Sequence, residues 1–74
     1  MEQITDAKSL GDIVKKLRKS QRLTQEQLAA ACGIGRRFIV ELERGKETSR
    51  IGMVLQVLSA LGVSLHAADR KGEL

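Results

Sequence analysis

The stretch Thr24 to Arg44, TQEQLAAACGIGRRFIVELER, constrains this chain more than any other. It reads as two short helices joined by a tight turn containing glycine. Thr24, with Gln27 three residues on, fits a capping box that starts the first helix, and Leu23 just ahead is the apolar half of a staple. Leu28, Ala31 and Cys32 are expected to point inward. Ala29 and Ala30 are small enough for another helix to approach. Gly33 suits the left-handed residue that closes a helix, Ile34 plugs the turn, and Gly35 is a tolerable N-cap for the second helix. That helix is expected over Arg36 to Glu43. Ile39 and Leu42 lie three apart and should pack inward, with Arg36, Arg37, Val40 and Glu41 on the other side. Gly45 ends it.

The rest of the chain reads as support. Residues 1–5 are expected to be a frayed leader. Asp6 can cap a first helix, with Ser9 and Asp12 offering another start. Leu10, Ile13, Val14 and Leu17 recur at helical spacing, with Lys15, Lys16 and Lys19 opposite, and this helix should end near Ser20. Gln21 and Arg22 form a short connection. A fourth helix, capped by Thr48 or Ser49, is expected from Arg50 to Leu61 with Ile51, Val54, Leu55, Leu58 and Leu61 as its apolar stripe. Gly62 should terminate it. Beyond that point the period changes. Val63-Ser64-Leu65-His66-Ala67 alternates apolar and polar, which signals a strand. A lone strand leaves backbone groups unpaired, and the nearest identical partner is the same strand in a second copy. An extended tail packed on the fourth helix is the competing reading. The domain plan is therefore leader 1–5, helical domain 6–62, dimerisation strand 63–69 and tail 70–74.

Size favours a partner. A chain of 74 residues buries only about 60% of its unfolded surface and is marginal alone. With a single cysteine there is no disulfide. Cys32 and His66 lack the paired spacing of a zinc site, so no metal and no cofactor are expected. Oligomerisation is the expected support. Nothing in the sequence reads as a signal peptide, and no apolar run approaches the roughly 20 residues of a membrane span, so the expected location is the cytoplasm. An enzyme is disfavoured, because the sole His and the sole Cys fall in different elements without a third partner. Cys32 reads most simply as a small apolar residue, and His66 as a solvent-side or dimer-seam residue. No small-molecule substrate is implied.

Charge placement points to the partner's chemistry. The formal net charge is +4, yet Lys15 to Arg50 holds ten Lys/Arg against four Asp/Glu, leaving the remainder net negative. A basic middle suggests a polyanion, against the alternative of a solvated helical surface. Aromatic residues are nearly absent, with one Phe and no Trp or Tyr, which argues against single strands bound by stacking. A short helix with side chains at its N-terminal end, braced by another helix, suits the major groove of duplex DNA. Arg36 and Arg37 can each make bidentate contacts to guanine O6 and N7, and Glu41 can accept from cytosine N4 or orient an arginine. The helix N-termini can hold phosphates. Arg44, Lys46 and Arg22 add charge to that contact. Two copies about a two-fold would set the recognition helices about 34–36 Å apart, on a palindrome.

At Thr24 to Lys46 the sequence resembles the Cro/repressor (XRE) helix-turn-helix family. The residues carrying the likeness are the small Ala29, the turn glycine Gly33, the buried aliphatic Ile39 and the Glu43-Arg44-Gly45 ending. Over roughly residues 9–67 it is more specifically similar to the HipB-type branch, through LGDIVKKLRKSQRLTQEQLA, GRRFIVELERGKETSR and VLQVLSALGVSL. The resemblance implies an all-α, lambda-repressor-like domain of four to five helices, with one C-terminal strand that pairs across a homodimer. It implies an autorepressor that is also the antitoxin of a HipA-like Ser/Thr kinase toxin. A free-standing or phage-type regulator, or a mainly protein-binding antitoxin, remains open. By the same resemblance Arg36, Arg37, Val40 and Glu41 read bases, with Val40 against a thymine methyl. Gln25 touches a phosphate and braces the recognition helix, Arg44 and Lys46 touch the backbone, and Arg18 with Glu43 forms a buried ion pair joining the first helix to the third. Phe38 stands where many relatives carry a small polar residue near a phosphate, so it belongs either to the DNA sugar edge or to the core.

Overall fold

The computed structural model describes residues 2–74; Met1 lies outside the described residues. Four helices follow in order: α1 Ala7–Ser20, α2 Gln25–Cys32, α3 Arg36–Glu43 and α4 Ile51–Ala60. Helix α3 packs against both α1 and α2, and α4 packs against α2. Val14, Leu28, Ile39, Leu42 and Val57 are fully buried where these helices meet, with Ala29, Val54, Leu58 and Leu61 around them. Each large aliphatic so buried contributes about 1.5–3 kcal/mol.

Asp6 caps α1 in a full capping box: the Ser9 amide donates to Asp6 Oδ1 at 2.7 Å, while the Asp6 amide donates to Ser9 Oγ at 3.1 Å. The Ser9 hydrogen bonds hold the Asp6 carboxyl below its ordinary value of 3.8. Ser9 is thus the third helical residue and not a second start. The leader is tethered at two places, by Glu2 to Lys16 at 3.0 Å and by the Thr5 amide to Ser9 Oγ at 2.9 Å.

Helix α1 contains Gly11, and the structure explains why. A Cβ there would lie 2.4 Å from the Leu42 carbonyl oxygen and 2.9 Å from that of Glu43. Helices α1 and α3 therefore meet backbone to backbone. A second close approach occurs at Gly45, whose Cβ would stand 3.0 Å from Lys8 Cα.

Every helix ends in the same way. A residue in the left-handed region donates its amide to a carbonyl three residues back, and the next residue donates to one five back. Gly33, Gly45 and Gly62 do this after α2, α3 and α4, at φ 66, 87 and 78. After α1 the position is Arg22, at φ 60, with Arg22 N to Lys19 O at 3.0 Å and Leu23 N to Arg18 O at 3.1 Å.

Several expectations are corrected. Helix α4 starts at Ile51 with Arg50 as its cap and no side-chain cap bond. Ser49 instead donates its hydroxyl to the Lys46 carbonyl at 3.1 Å. Ala29 is buried and Ala31 exposed, because α2 packs on both α3 and α4 with its 28/29 edge. On α4, Val57 is buried whereas Ile51 and Leu55 are 70% and 44% exposed. Among the described residues there are four helices, within the expected four to five, but no strand: Val63 to Ala67 is irregular. Val63 donates its amide back to Leu58 in closing α4, and nothing within one chain offers Leu65 or Ala67 a ladder to join.

Candidate nucleic-acid interface

Helix α2 begins with its capping box formed in both directions. The Gln27 amide donates to Thr24 Oγ1 at 3.0 Å and the Thr24 amide to Gln27 Oε1 at 2.8 Å. This anchors Gln25, the first helical residue, at the edge of α2 facing α3. Helix α3 starts after Gly35 with no side-chain cap; the Phe38 amide donates to the Gly35 carbonyl at 3.1 Å, and the two amides ahead of it lie at the open end of the helix. Arg36 and Arg37 project from that end and are exposed. Ile39 and Leu42 fasten the opposite face in the core.

Beneath the arginines lies the ion pair of Arg18 and Glu43, each only 7% exposed. Arg18 Nε donates to Glu43 Oε2 at 2.6 Å and Nη2 to Oε1 at 3.1 Å, while Nη1 donates to the Leu23 carbonyl at 2.7 Å. Glu43 Oε1 also accepts from Gln25 Nε2 at 3.1 Å, and Gln25 Oε1 accepts from Arg36 Nη2 at 3.3 Å. A continuous hydrogen-bonded path thus joins α1, α3, α2 and the first turn of α3. No buried side-chain nitrogen or oxygen among the described residues lacks a partner. An open depression of about 410 Å³ lies over this path, lined by Arg18, Leu23, Thr24, Gln25, Glu26 and Arg36.

A second group of charges gathers at Glu41. Arg37 Nε stands 3.7 Å from Glu41 Oε1, and Lys46 Nζ 3.3 Å from Oε2. One half-buried carboxylate therefore holds two cations along the flank of α3. Phe38 is half-buried and packs against the core, beside a smaller depression shared with Glu41, Lys46, Thr48, Ser49 and Arg50. Its ring thus meets the core while one edge reaches the surface. Val40 is half-buried, and Arg44 and Arg22 are exposed. The residues of the expected dimer strand take no part in either cluster: Val63 rests on the core, and Leu65 and Ala67 are exposed.

Two positioning residues have no strong signature in sequence. Gly11 sits inside an otherwise amphipathic helix, and such a glycine is the one local hint of a close backbone approach. Gln21 donates from Nε2 to the Leu61 carbonyl at 2.9 Å, tying the end of α1 to the end of α4; the two lie 40 positions apart, so no local pattern announces it. Burial pushes the Cys32 thiol up, as suits a packed, unreactive residue. Among the described residues no cluster of His, Cys, Asp or Glu could hold a metal ion, and no helix is long and apolar enough to cross a membrane.

Two short helices locked at a glycine turn, with arginines standing at the free end of the second, define a helix-turn-helix module. Comparison with known proteins agrees. Residues 14–67 match the helix-turn-helix family model. The chain is 54% identical over 56 residues to the uncharacterised HTH-type transcriptional regulator y4mF of Sinorhizobium fredii, covering 76% of this chain and 74% of that one. It is 30% identical over 59 residues to the immunity repressor protein of Bacillus phage phi105, covering 80% of this chain and 41% of that one. Solved structures of HipB share its fold. In the HipB–O4 20mer complex the TM-score is 0.86 at 23% identity, over 95% of this chain and 99% of that one. HipB in the HipA–HipB–O2–O3 complex gives the same values. The chain belongs to the XRE-type helix-turn-helix family and is a HipB-like transcriptional regulator in its fold. The relatives it matches are an HTH-type transcriptional regulator and an immunity repressor.

Proposed function

We propose that this protein is a sequence-specific repressor that binds a palindromic operator as a homodimer and also serves as antitoxin to a HipA-like kinase. The observation that carries the DNA half is the pose of Arg36, exposed at the N-terminus of α3 with its guanidinium held by Gln25. Arg36 and Arg37 read guanines, while Val40 and Glu41 supply further base contacts. Gln25, Arg22, Arg44 and Lys46 meet phosphates, with Phe38 at their edge. Selection of a duplex from random DNA, followed by footprinting, tests this. Arg36→Ala should cost about 1–3 kcal/mol on the selected site and relax one base position; equal losses on random duplexes would refute base reading.

The homodimer reading rests on apolar surface left open in one chain, namely Ile51, Leu55 and Leu65. Val63 to Ala67 then acquires in a second copy the ladder partner that a single chain lacks. Leu65→Asp should dissociate the dimer; sedimentation showing an unchanged dimer removes the seam.

The antitoxin half is supported by likeness in fold to HipB, a protein solved in complex with HipA. A kinase-like reading frame beside this gene, and co-purification of its product, would test it. The immunity repressor of Bacillus phage phi105 favours a second reading, a regulator with no toxin. Absence of a neighbouring kinase, together with operator binding by the chain alone, would select it.

A further inference from the structure

We infer that Glu43, although buried and remote from solvent, is a positioning residue for base reading by Arg36, acting through the side-chain amide of Gln25. The inference rests on the DNA-reading function proposed above.

What matters is which end of the Gln25 amide faces which partner. Glu43 is paired with Arg18 through both of its oxygens, and an ionised carboxylate only accepts hydrogen bonds. The Gln25 amide beside it must therefore present its NH2, which it does at 3.1 Å. The consequence appears at the other end. With Nε2 turned inward, Oε1 faces Arg36 and accepts from Nη2 at 3.3 Å. A flipped amide would set its oxygen against the carboxylate and its NH2 against the guanidinium, and neither Glu43 nor Arg36 would then be served. The sense of one half-buried amide, and with it the pose of an exposed arginine, is thus dictated by a charge in the core. Arg36 is exposed and otherwise unpaired among the described ion pairs, so this acceptor is the contact that restrains its guanidinium. A pre-oriented guanidinium favours the bidentate geometry that distinguishes guanine from other bases.

A simple phosphate contact by Gln25 predicts different behaviour, and a double-mutant cycle separates the two. The probe is the duplex enriched from a random library by the wild-type protein, with each base pair then varied singly. Gln25→Ala removes the link without touching the Arg18–Glu43 pair, and circular dichroism checks the fold. Gln25→Ala is expected to weaken binding severalfold and to flatten preference only at the base pair that Arg36→Ala also flattens. In the Arg36→Ala background, Gln25→Ala should leave the preference at that base pair unchanged and cost less affinity than in the wild type, what remains being its phosphate contact. A second arm reverses the polarity. Glu43→Gln should flatten the same base pair, and adding Gln25→Glu should restore the preference, because the carboxylate then at position 25 can accept both from the amide introduced at position 43 and from Arg36. Losses that multiply in the cycle, with no change in preference at the Arg36 base pair, would overturn the inference and leave the DNA reading standing. Failure to enrich any duplex would overturn the DNA reading and this inference with it.

Discussion

Arg22 occupies a backbone position that the other three helices of this protein give to glycine. At φ 60 it lies in the left-handed region, which costs a non-glycine residue roughly 1–2 kcal/mol. Replacing it by glycine removes that strain but gives back about 0.5–1 kcal/mol, because glycine has more freedom to lose on folding. With the middle of each range, the balance for Arg22→Gly is a gain of about 0.75 kcal/mol. For a domain of this size, 1 kcal/mol moves the thermal midpoint by about 4–8 °C, so the midpoint should rise by about 3–6 °C. The side chain is exposed and makes no hydrogen bond or ion pair among those described, so nothing else in the fold is lost. DNA binding should move the other way. If the guanidinium meets one phosphate, the slope of log affinity against log salt should flatten by about 0.9, and affinity near 0.1 M salt should fall by about fivefold to tenfold. Arg22→Lys keeps both the charge and the strained backbone, and should leave midpoint and slope near their wild-type values. Differential scanning calorimetry and salt-titrated fluorescence anisotropy on the selected duplex read the two effects. A midpoint that stays or falls in Arg22→Gly would refute the strain argument. An unchanged salt slope would remove the reason for tolerating the strain.

Three further perturbations test the scaffold. Glu43→Ala strands the Arg18 guanidinium in the core and should cost about 3–5 kcal/mol, more than any surface change; a urea midpoint equal to wild type would remove the pair from the stabilising interactions. Gly11→Ala gains about 1 kcal/mol of helix propensity but sets a methyl 2.4 Å from the Leu42 carbonyl oxygen. Because that neighbour is backbone, overpacking near the top of the usual range of about 1–3 kcal/mol should win, and a stabilised variant would show that α1 can slide. Asp6 titrates below its ordinary value because the folded carboxylate accepts the Ser9 bonds. A depressed folded value means its contribution is full above the unfolded value and is lost as pH falls through the folded one. The gap in thermal midpoint between wild type and Asp6→Ala should therefore be constant near neutrality and narrow below pH about 4; a gap independent of pH would contradict the capping assignment.

The parts of the fold legible in sequence are those written in local chemistry. Thr24 with Gln27, Gly33 at the turn and Gly45 after α3 each satisfy a backbone requirement within a few residues, and α2 and α3 form where those residues place them. The alternation of Ile39 and Leu42 with Arg36, Arg37 and Glu41 marks the buried face of α3, because charge and apolarity contrast sharply there. Where contrast fails, so does the reading. LAAAC offers α2 five small or apolar residues in a row, so period cannot choose between Ala29 and Ala31. Helix α4 is apolar at most positions, and a stripe through Ile51 and Leu55 is as plausible in sequence as the one through Val54, Val57 and Leu58 that packs. The Ser and Thr before α4 look like caps, but the chain turns on Arg50 instead. The alternation in Val63 to Ala67 describes a surface that a strand would need, and strand formation depends on a partner outside the chain. Of the interface, the arginines are legible as residue types. The bond from Gln25 to Glu43, 18 residues apart, is not, because it exists only after three helices have packed.

The contact at Gly11 has a consequence for how this protein can diverge. Where two helices are spaced by side chains, each change of volume alters their separation and any surface they present. Here the separation of α1 and α3 is set by main-chain atoms, which no substitution elsewhere can enlarge or trim. Core residues such as Val14 or Leu28 can then drift in size and alter stability first, leaving the aim of the recognition helix in place. The residues Arg36, Arg37, Val40 and Glu41 then change within their own surface cluster, where Glu41 pairs with Arg37 and Lys46. On the DNA reading proposed above, a chain built this way can change its aliphatic core, away from the Glu43–Gln25–Arg36 path, without losing its target.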